Sequence, residues 1–409
     1  MLEALRGWSR AEKHAIAASY LGWTLDAFDF FLVVFVLTDI AREFDADVKS
    51  VTQALFLTLA LRPVGAFIFG RFADRFGRRP VLMLDVVLYA VFAFVSAFSP
   101  NLIAFLVLRG MFGIAMGGEW GVGASLAMET VRAESRGLVS GILQTGYASG
   151  YLIAAVAYAV LFPLIGWRGL MMLGLLPALL ILYVRRNVAE SPGWQAEKRS
   201  AGRTTAVLAT HWRLAVYAVL LMTSLNFLSH GTQDLYPTFL KVDRGFGPPL
   251  VGTIVVIGNI GAIAGGLTFG ALSQRFGRVR TLTAAAILCL FALPLWIASE
   301  SVVALALGAF GMQFVVQGCW GLIPAHLNEL SPADARGTFP GTVYQLGNLF
   351  AAYAGPLQAG MAVQYGTYGF ALGVVAGASA LAVAFLASIG REAKEIDMRL
   401  GIPAQLSAE

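Results

Sequence analysis

Apolar runs long enough to cross a membrane recur along almost the whole of this 409-residue chain, and no other feature narrows its fold so far. A helix rises 1.5 Å per residue, so about 20 apolar residues cross a hydrocarbon core ~30 Å thick. Such runs fall near 16–38, 50–70, 80–98, 101–127, 138–160 and 166–186. A second set lies near 213–240, 247–272, 281–298, 301–327, 337–363 and 366–390. Together they predict twelve transmembrane helices in an all-α integral membrane protein. Composition agrees, with 58% of residues hydrophobic and 13% charged, about half the charged share of a soluble domain. The other spanning architecture is a closed barrel, whose alternating strands of about ten residues are missing from the pattern.

Basic residues set the expected orientation. With both termini placed in the cytoplasm, 22 of the 29 Lys and Arg fall on the inner side. Five (Arg42, Lys49, Arg168, Lys241 and Arg244) fall outside, and two, Arg62 and Arg109, lie within spans. The positive-inside rule therefore expects a multi-pass plasma (inner) membrane protein with cytoplasmic termini. The net charge of +5 is spread over short loops and forms no nucleic-acid patch. The first span carries Asp26 and Asp29 and lacks a small-residue cleavage site, unlike a signal peptide. Cys289 and Cys319 sit in different apolar helices, which argues against a disulfide scaffold or a metal site. No nucleophile elbow, phosphate loop or zinc spacing occurs, so neither an enzyme nor a cofactor is expected.

The chain repeats itself at an offset of 200 residues. Gly70 to Arg79 (GRFADRFGRR) aligns with Gly270 to Val279 (GALSQRFGRV) at five of ten positions. The same offset pairs Trp120-Gly121 with Trp320-Gly321, Glu129 with Glu329, and Arg136-Gly137 with Arg336-Gly337. Two parallel six-helix bundles are expected, over 1–186 and 213–390, joined by a linker at 187–212 and followed by a tail at 391–409. Paired repeats of this kind build alternating-access carriers whose solute site lies near the midplane, between the halves.

Gly70 to Arg79 resembles the G-x-x-x-D-R-x-G-R-R signature of the major facilitator superfamily. Arg109-Gly110 with Gly113, Gly117 and Gly118 is similar to its fourth-helix motif. Glu190-Ser191-Pro192 with Trp194 resembles the motif after the sixth helix in its sugar and metabolite symporters. The resemblance implies the major-facilitator fold. It departs at Gln274, where the family often carries an acid, so a weaker gating contact is expected in the second half. Asp74, Arg75, Arg78, Glu129 and Arg136 are expected to form a cytoplasmic ion-pair latch, with Glu329 and Arg336 serving the second half.

Ionisable groups inside a bilayer are costly and need a reason. Asp26 and Arg62 both reach the midplane by residue count. Arg62 is the expected substrate anchor, because a guanidinium forks onto a carboxylate; a permanent pair with Asp26 or Asp29 is the structural alternative. Asp26 and Asp29 share a helix face, where burial and mutual repulsion favour the protonated form, which makes them candidate proton carriers. Arg109 reads as structural, a partner for Asp29 or Glu119. Asp85, Glu119 and His326 lie nearer the cytoplasmic ends, where snorkelling or a latch contact is expected.

The seventh span carries a polar stripe: Asn226, Ser229, His230, Thr232, Gln233, Asp234 and Thr238. At 100° per residue most of these share one face, which must meet a cavity rather than lipid. Asn226 belongs to the substrate layer. His230 and Asp234 lie beyond the midplane and fit a proton path or an outer gate; the alternative is a histidine braced by an acid four residues on. Ser229, Gln233 and Thr238 are expected as polar cavity or gate residues. Phe28, Phe31, Tyr147, Trp120 and Trp320 are candidate cavity walls.

The stripe resembles the seventh-helix signature of the lactate/pyruvate permeases within the sialate:proton symporter family. Gln345 and Asn348 resemble that family's polar pair in the eleventh helix, and Arg62-Pro63 stands where it has its second-helix arginine. The resemblance implies proton-coupled symport of a small monocarboxylate, lactate or pyruvate, by rocker-switch alternating access. Its partners would be a small organic anion, protons and the bilayer, with the monomer as the working unit. A sugar acid such as sialate, an exporter of drugs or metabolites, and a non-transporting nutrient sensor are the alternatives.

Overall fold

The computed structural model describes residues 7–46, 48–197, 209–394, 396–398 and 402–403. Linker residues 198–208 and most of the expected tail beyond 398 lie outside the described residues. The first half contains α1 (Arg10–Glu43), α2 (Val48–Phe76), α3 (Arg78–Ser96), α4 (Leu102–Thr130), α5 (Arg136–Met172) and α6 (Ala178–Asn187), followed by the short α7 (Pro192–Glu197). The second half contains α8 (Trp212–Gln233), α9 (Tyr236–Val242), α10 (Pro248–Phe276), α11 (Arg278–Leu293) and α12 (Val302–Gly321). It continues through α13 (Ile323–Leu330), α14 (Phe339–Ala351), α15 (Ala354–Tyr365) and α16 (Tyr368–Ser388).

Nine helical segments among the described residues are long and apolar enough to cross a membrane. One of them, 133–187, runs to 55 residues and breaks at Gly166, where φ is +64°; it makes two passes. α1, with its two embedded acids, and the interrupted α14–α15 pair complete the twelve passes expected from the sequence. The ends are capped by side chains. Ser9 and Glu12 form a reciprocal capping box at α1, and Asn101 and Thr367 cap α4 and α16, satisfying donors that a helix start leaves free.

The two halves repeat the same packing. A Cβ on Gly65 of α2 would lie 1.7 Å from the carbonyl oxygen of Ile114 on α4; one on Gly265 of α10 would lie 1.8 Å from that of Phe314 on α12. Only glycine permits these backbone approaches, which is how small residues bring membrane helices together. Gly77 and Gly277 match as well, at φ +108° and +92°. Each turns one helix into the next with a single residue in a region closed to ordinary side chains. The new helix starts need acceptors. Glu190 Oε1 accepts the Arg78 N–H at 2.9 Å, and Glu392 Oε2 accepts the Val279 N–H at 3.1 Å. Burial pushes the Glu190 carboxyl above its ordinary range, and these backbone hydrogen bonds oppose that rise only in part.

The halves press together on the side carrying the turns at Gly77 and Gly277 and the connection 131–135, here called the basic side. There a Cβ on Gly141 would meet the Gly266 carbonyl at 2.6 Å, and one on Gly121 would meet Gly341 Cα at 2.7 Å. Among the described residues, every side-chain hydrogen bond between the halves lies on this side. Toward the opposite side the halves part around a cavity of about 630 Å³.

Candidate functional site

The cavity has an aromatic floor. Trp120 and Trp320, equivalent in the repeat, approach Tyr344 from the two halves, with ring centroids 4.6 and 5.4 Å away. Trp320 and Tyr344 line the cavity, as do Phe31 and Tyr147. Trp120 and Phe28 are buried in the packed core instead.

Arg62 enters from α2. It is 2% exposed, and it is the one arginine or lysine that lines the cavity among the described residues. Its guanidinium donates to Met116 Sδ at 2.6 Å and lies 5.2 Å from the centroid of Phe30. Among the described residues Arg62 forms no ion pair within 4.0 Å, so the permanent pair with Asp26 or Asp29 is not made. A guanidinium held by a thioether and a ring keeps hydrogen-bonding capacity for an anion.

Asp26 and Asp29 do not line the cavity. They are 0% and 1% exposed and sit inside the first bundle, in the electrostatic field of Arg109, with Asp26 also in that of Arg62. Arg109 is fully buried, with its guanidinium 3.9 Å from the Phe112 ring centroid, and makes no ion pair within 4.0 Å among the described residues. The snorkelling expected of Asp85, Glu119 and His326 does not occur: these side chains are 0%, 0% and 1% exposed. Asp85 faces Gly118 and Glu119 faces Gly22 across helix contacts. Counting residues along an axis gives depth but not the face, and here the face is the bundle interior.

The second half presents mostly neutral polar groups, with His230 and Asp234 as its ionisable pair. Asn226 Nδ2 donates to its own helix at Met222 O (2.8 Å), and Asn259 does the same to Val255 O (3.1 Å). Both residues line the cavity, and each amide keeps its oxygen as an acceptor. Gln233 donates to Gln313 Oε1 at 2.8 Å, and Gln317 reaches Ser229 Oγ at 3.4 Å. His230 bridges two elements, with Nδ1 3.2 Å from Asp234 Oδ2 and Nε2 3.0 Å from Asn348 Oδ1. The His230 and Asp234 side chains are 32% and 47% exposed, open to the cavity. Gln345 is buried and does not line it, nor does Thr238.

Gln313, Gln317 and Asn259 were not among the expected site residues. The signal was there: Gln313 and Gln317 stand four apart in an otherwise apolar helix, the same stripe logic that singled out Asn226 and His230. Tyr344 and Tyr151 carry no such pattern. Among the described residues no group of three or more His, Cys, Asp or Glu is placed to hold a metal ion.

The basic-side seam repeats with one substitution. Arg78 pairs with Asp74 (3.0 Å) and Glu129 (2.8 Å), and Arg278 pairs with Glu329 (2.9 Å). Asp74 crosses the seam, accepting from Gly337 N at 2.7 Å and Thr338 Oγ1 at 2.6 Å. Gln274 makes the mirror contact, accepting from Gly137 N at 3.1 Å. Arg136 donates to Met128 O and Ile396 O, and Arg336 to Met398 O. Arg75 stands apart: it is exposed, 5.2 Å from the Phe76 ring.

Residues 19–238 match the family described as Major Facilitator Superfamily, more than half of the chain. The chain belongs to that superfamily. Residues 237–387 match the family described as Sugar (and other) transporter. The chain is 32% identical over 374 residues to a "Carboxylic acid transporter protein homolog" of Saccharomyces cerevisiae, covering 85% of this chain and 61% of the yeast protein. It therefore spans less than two thirds of that relative's length. It is 28% identical over 344 residues to the sialic acid transporter NanX of Escherichia coli, covering 82% of this chain and 84% of NanX. The solved structure of the proton:xylose symporter XylE superposes with a TM-score of 0.70 at 20% identity, covering 95% of this chain and 98% of XylE; that likeness concerns the fold. Its relatives and its fold are those of membrane transporters, not enzymes.

Proposed function

We propose that this chain carries a monocarboxylate together with a proton, by alternating exposure of the cavity to the two sides of the membrane. The observation that carries the reading is Arg62: one buried guanidinium, free of any acid partner within 4.0 Å among the described residues, at a cavity whose other lining is neutral and aromatic apart from the His230–Asp234 pair. A substrate carboxylate supplies the two oxygens that a guanidinium fork fits. Asn226 and Asn348 orient the rest of a small acid such as lactate or pyruvate, and Gln345 supports that layer from behind. Asp26 and Asp29 carry the proton, with His230 and Asp234 on its access path. A carboxylate and one proton cross without net charge.

The basic side is assigned to the cytoplasm of a plasma membrane by the positive-inside rule, with 1–186 and 213–390 as the moving halves. Asp74, Arg78, Glu129, Arg136, Glu329 and Arg336 close that side. Uptake of labelled lactate into proteoliposomes under an imposed pH gradient tests the reading. Accumulation should follow the gradient, and lactate uptake indifferent to it would remove proton coupling.

A larger sugar acid, such as sialate, is the second reading. The cavity's volume of about 630 Å³ lies within the roughly 300–1,000 Å³ of pockets that hold drug-sized ligands. The amide wall of Asn226, Asn259 and Gln317 offers acceptors for hydroxyl groups beyond a three-carbon acid. Counterflow of lactate against a panel of longer hydroxylated acids separates the two.

A further inference from the structure

The seam on the basic side holds a third participant besides the two halves: the chain's own C-terminal segment. It leaves α16 in the second half and is first tied there, through Glu392 Oε2 accepting the Val279 N–H at the start of α11 (3.1 Å). Further along it is gripped by an arginine from each half. Arg136, at the start of α5, donates to Ile396 O at 2.6 Å; Arg336, ahead of α14, donates to Met398 O at 3.4 Å. These arginines are equivalent in the 200-residue repeat, so the segment lies across the pseudo-symmetry axis of the closed seam.

Met398 then inserts. Its side chain is 0% exposed and belongs to an apolar cluster with Ile16, Met128, Val139 and Leu143 of the first half and Ala325 of the second. Its carbonyl lies against α7, where a Cβ on Gly193 would sit 3.0 Å away. A segment anchored on one half that buries a methionine in the other resists separation of the two. Opening the basic side would strand Met398 and expose the cluster, at the cost of burying a large apolar side chain no longer.

We propose that the C-terminal segment is a strap: Met398, held by Arg136 and Arg336, keeps the basic side closed and must withdraw before that side opens. Transport then depends on the tail as well as on Asp74 and Gln274. The proposal rests on the alternating-access reading above but on no particular substrate.

The test is a distance measurement in lipid nanodiscs without substrate. Spin labels are placed at Arg75→Cys and Arg275→Cys, two exposed and repeat-equivalent positions that flank the seam; the native Cys289 and Cys319 are buried. The full-length chain should give one short distance. Met398→Ala, and separately a chain ended after Gly390, should raise the long-distance population relative to the short one roughly tenfold, which corresponds to about 1.4 kcal/mol of lost closed-state contact. Met398→Leu keeps the volume and should retain the parent distribution. Asp74→Ala calibrates the pair, since it cuts two seam hydrogen bonds independently of the tail. A shift with Asp74→Ala and none with Met398→Ala or the shortened chain overturns the strap while leaving alternating access intact. No shift with any variant also overturns it.

Discussion

The two halves share a backbone plan but not an interior. At the offset of 200, Asp26 faces Asn226, Asp29 faces Ser229, Arg62 faces Ala262, Asp85 faces Ala285, Arg109 faces Ala309, and Glu119 faces Cys319. Nearly all of these positions are buried in both halves. Every ionisable group in this first-half set is neutral in the second. The seam residues behave in the opposite way: Arg78 and Arg278, Glu129 and Glu329, and Arg136 and Arg336 are kept, with Asp74 and Gln274 as the exception. Buried charge is expensive and persists where it is used. Under the proposed function the first half holds the substrate's counter-charge and the proton carriers, the second half, His230 and Asp234 apart, supplies neutral hydrogen-bonding groups, and the seam is common to both.

Exchanging a residue for its counterpart breaks this comparison most sharply. Arg62→Ala should produce the largest effect, a fall in uptake on the order of 100-fold, as loss of a charge-assisted contact of about 2–3 kcal/mol implies. Arg62→Lys should recover little of it, because an ammonium cannot fork. Initial rates over a range of substrate concentrations measure both. Asp26→Asn places the second-half residue in the first half. It should cut gradient-driven accumulation by roughly tenfold, toward simple equilibration, while counterflow persists. Loss of counterflow as well would assign Asp26 to the substrate site instead.

Gln274→Asp sharpens the seam. It restores an acid facing Gly137 N–H and Arg278, and should favour the closed basic side by about 1–2 kcal/mol, read as a slower rate of opening by the distance pair at positions 75 and 275. The smallest effect is expected at the far side. Burial raises the Glu43 carboxyl, but hydrogen bonds from Arg168 and Trp167 and the Arg168 charge outweigh it and hold it below its ordinary 4.5. A depressed pKa stabilises the fold above the unfolded value and loses that contribution as pH falls through the folded one. Thermal stability should therefore drop below about pH 4.5 by an amount that Glu43→Gln abolishes, kept small by the exposure of both partners.

Fold class and repeat were legible because membrane spans and superfamily loops announce themselves locally. Gly77 in G-R-R and Gly277 in G-R-V needed only their neighbours to be read. The cavity lining was legible where polarity broke an apolar run, as at Asn226, His230 and Arg62. Gln345 passed the same test, yet the structure places it behind the cavity wall, because a helix face at the midplane can turn to a neighbouring helix as well as to water. Asp85 and Glu119 were misplaced for the related reason that depth along an axis says nothing of direction. The burial of Met398 left no trace in the pattern. Met398 is one of several apolar residues in the tail, with Ile396, Leu400, Ile402 and Leu406, and the two arginines that hold its segment lie about 60 and 260 residues away.

The central claim is that Arg62 binds a carboxylate whose charge is cancelled by a co-transported proton. The most direct measurement follows lumen pH and membrane current together, in vesicles held at zero voltage, while lactate is added outside. The account predicts that the lumen acidifies in step with lactate uptake, that no steady current flows, and that Arg62→Ala abolishes both fluxes. Lactate uptake that leaves lumen pH unchanged, or that carries a steady current, would contradict it.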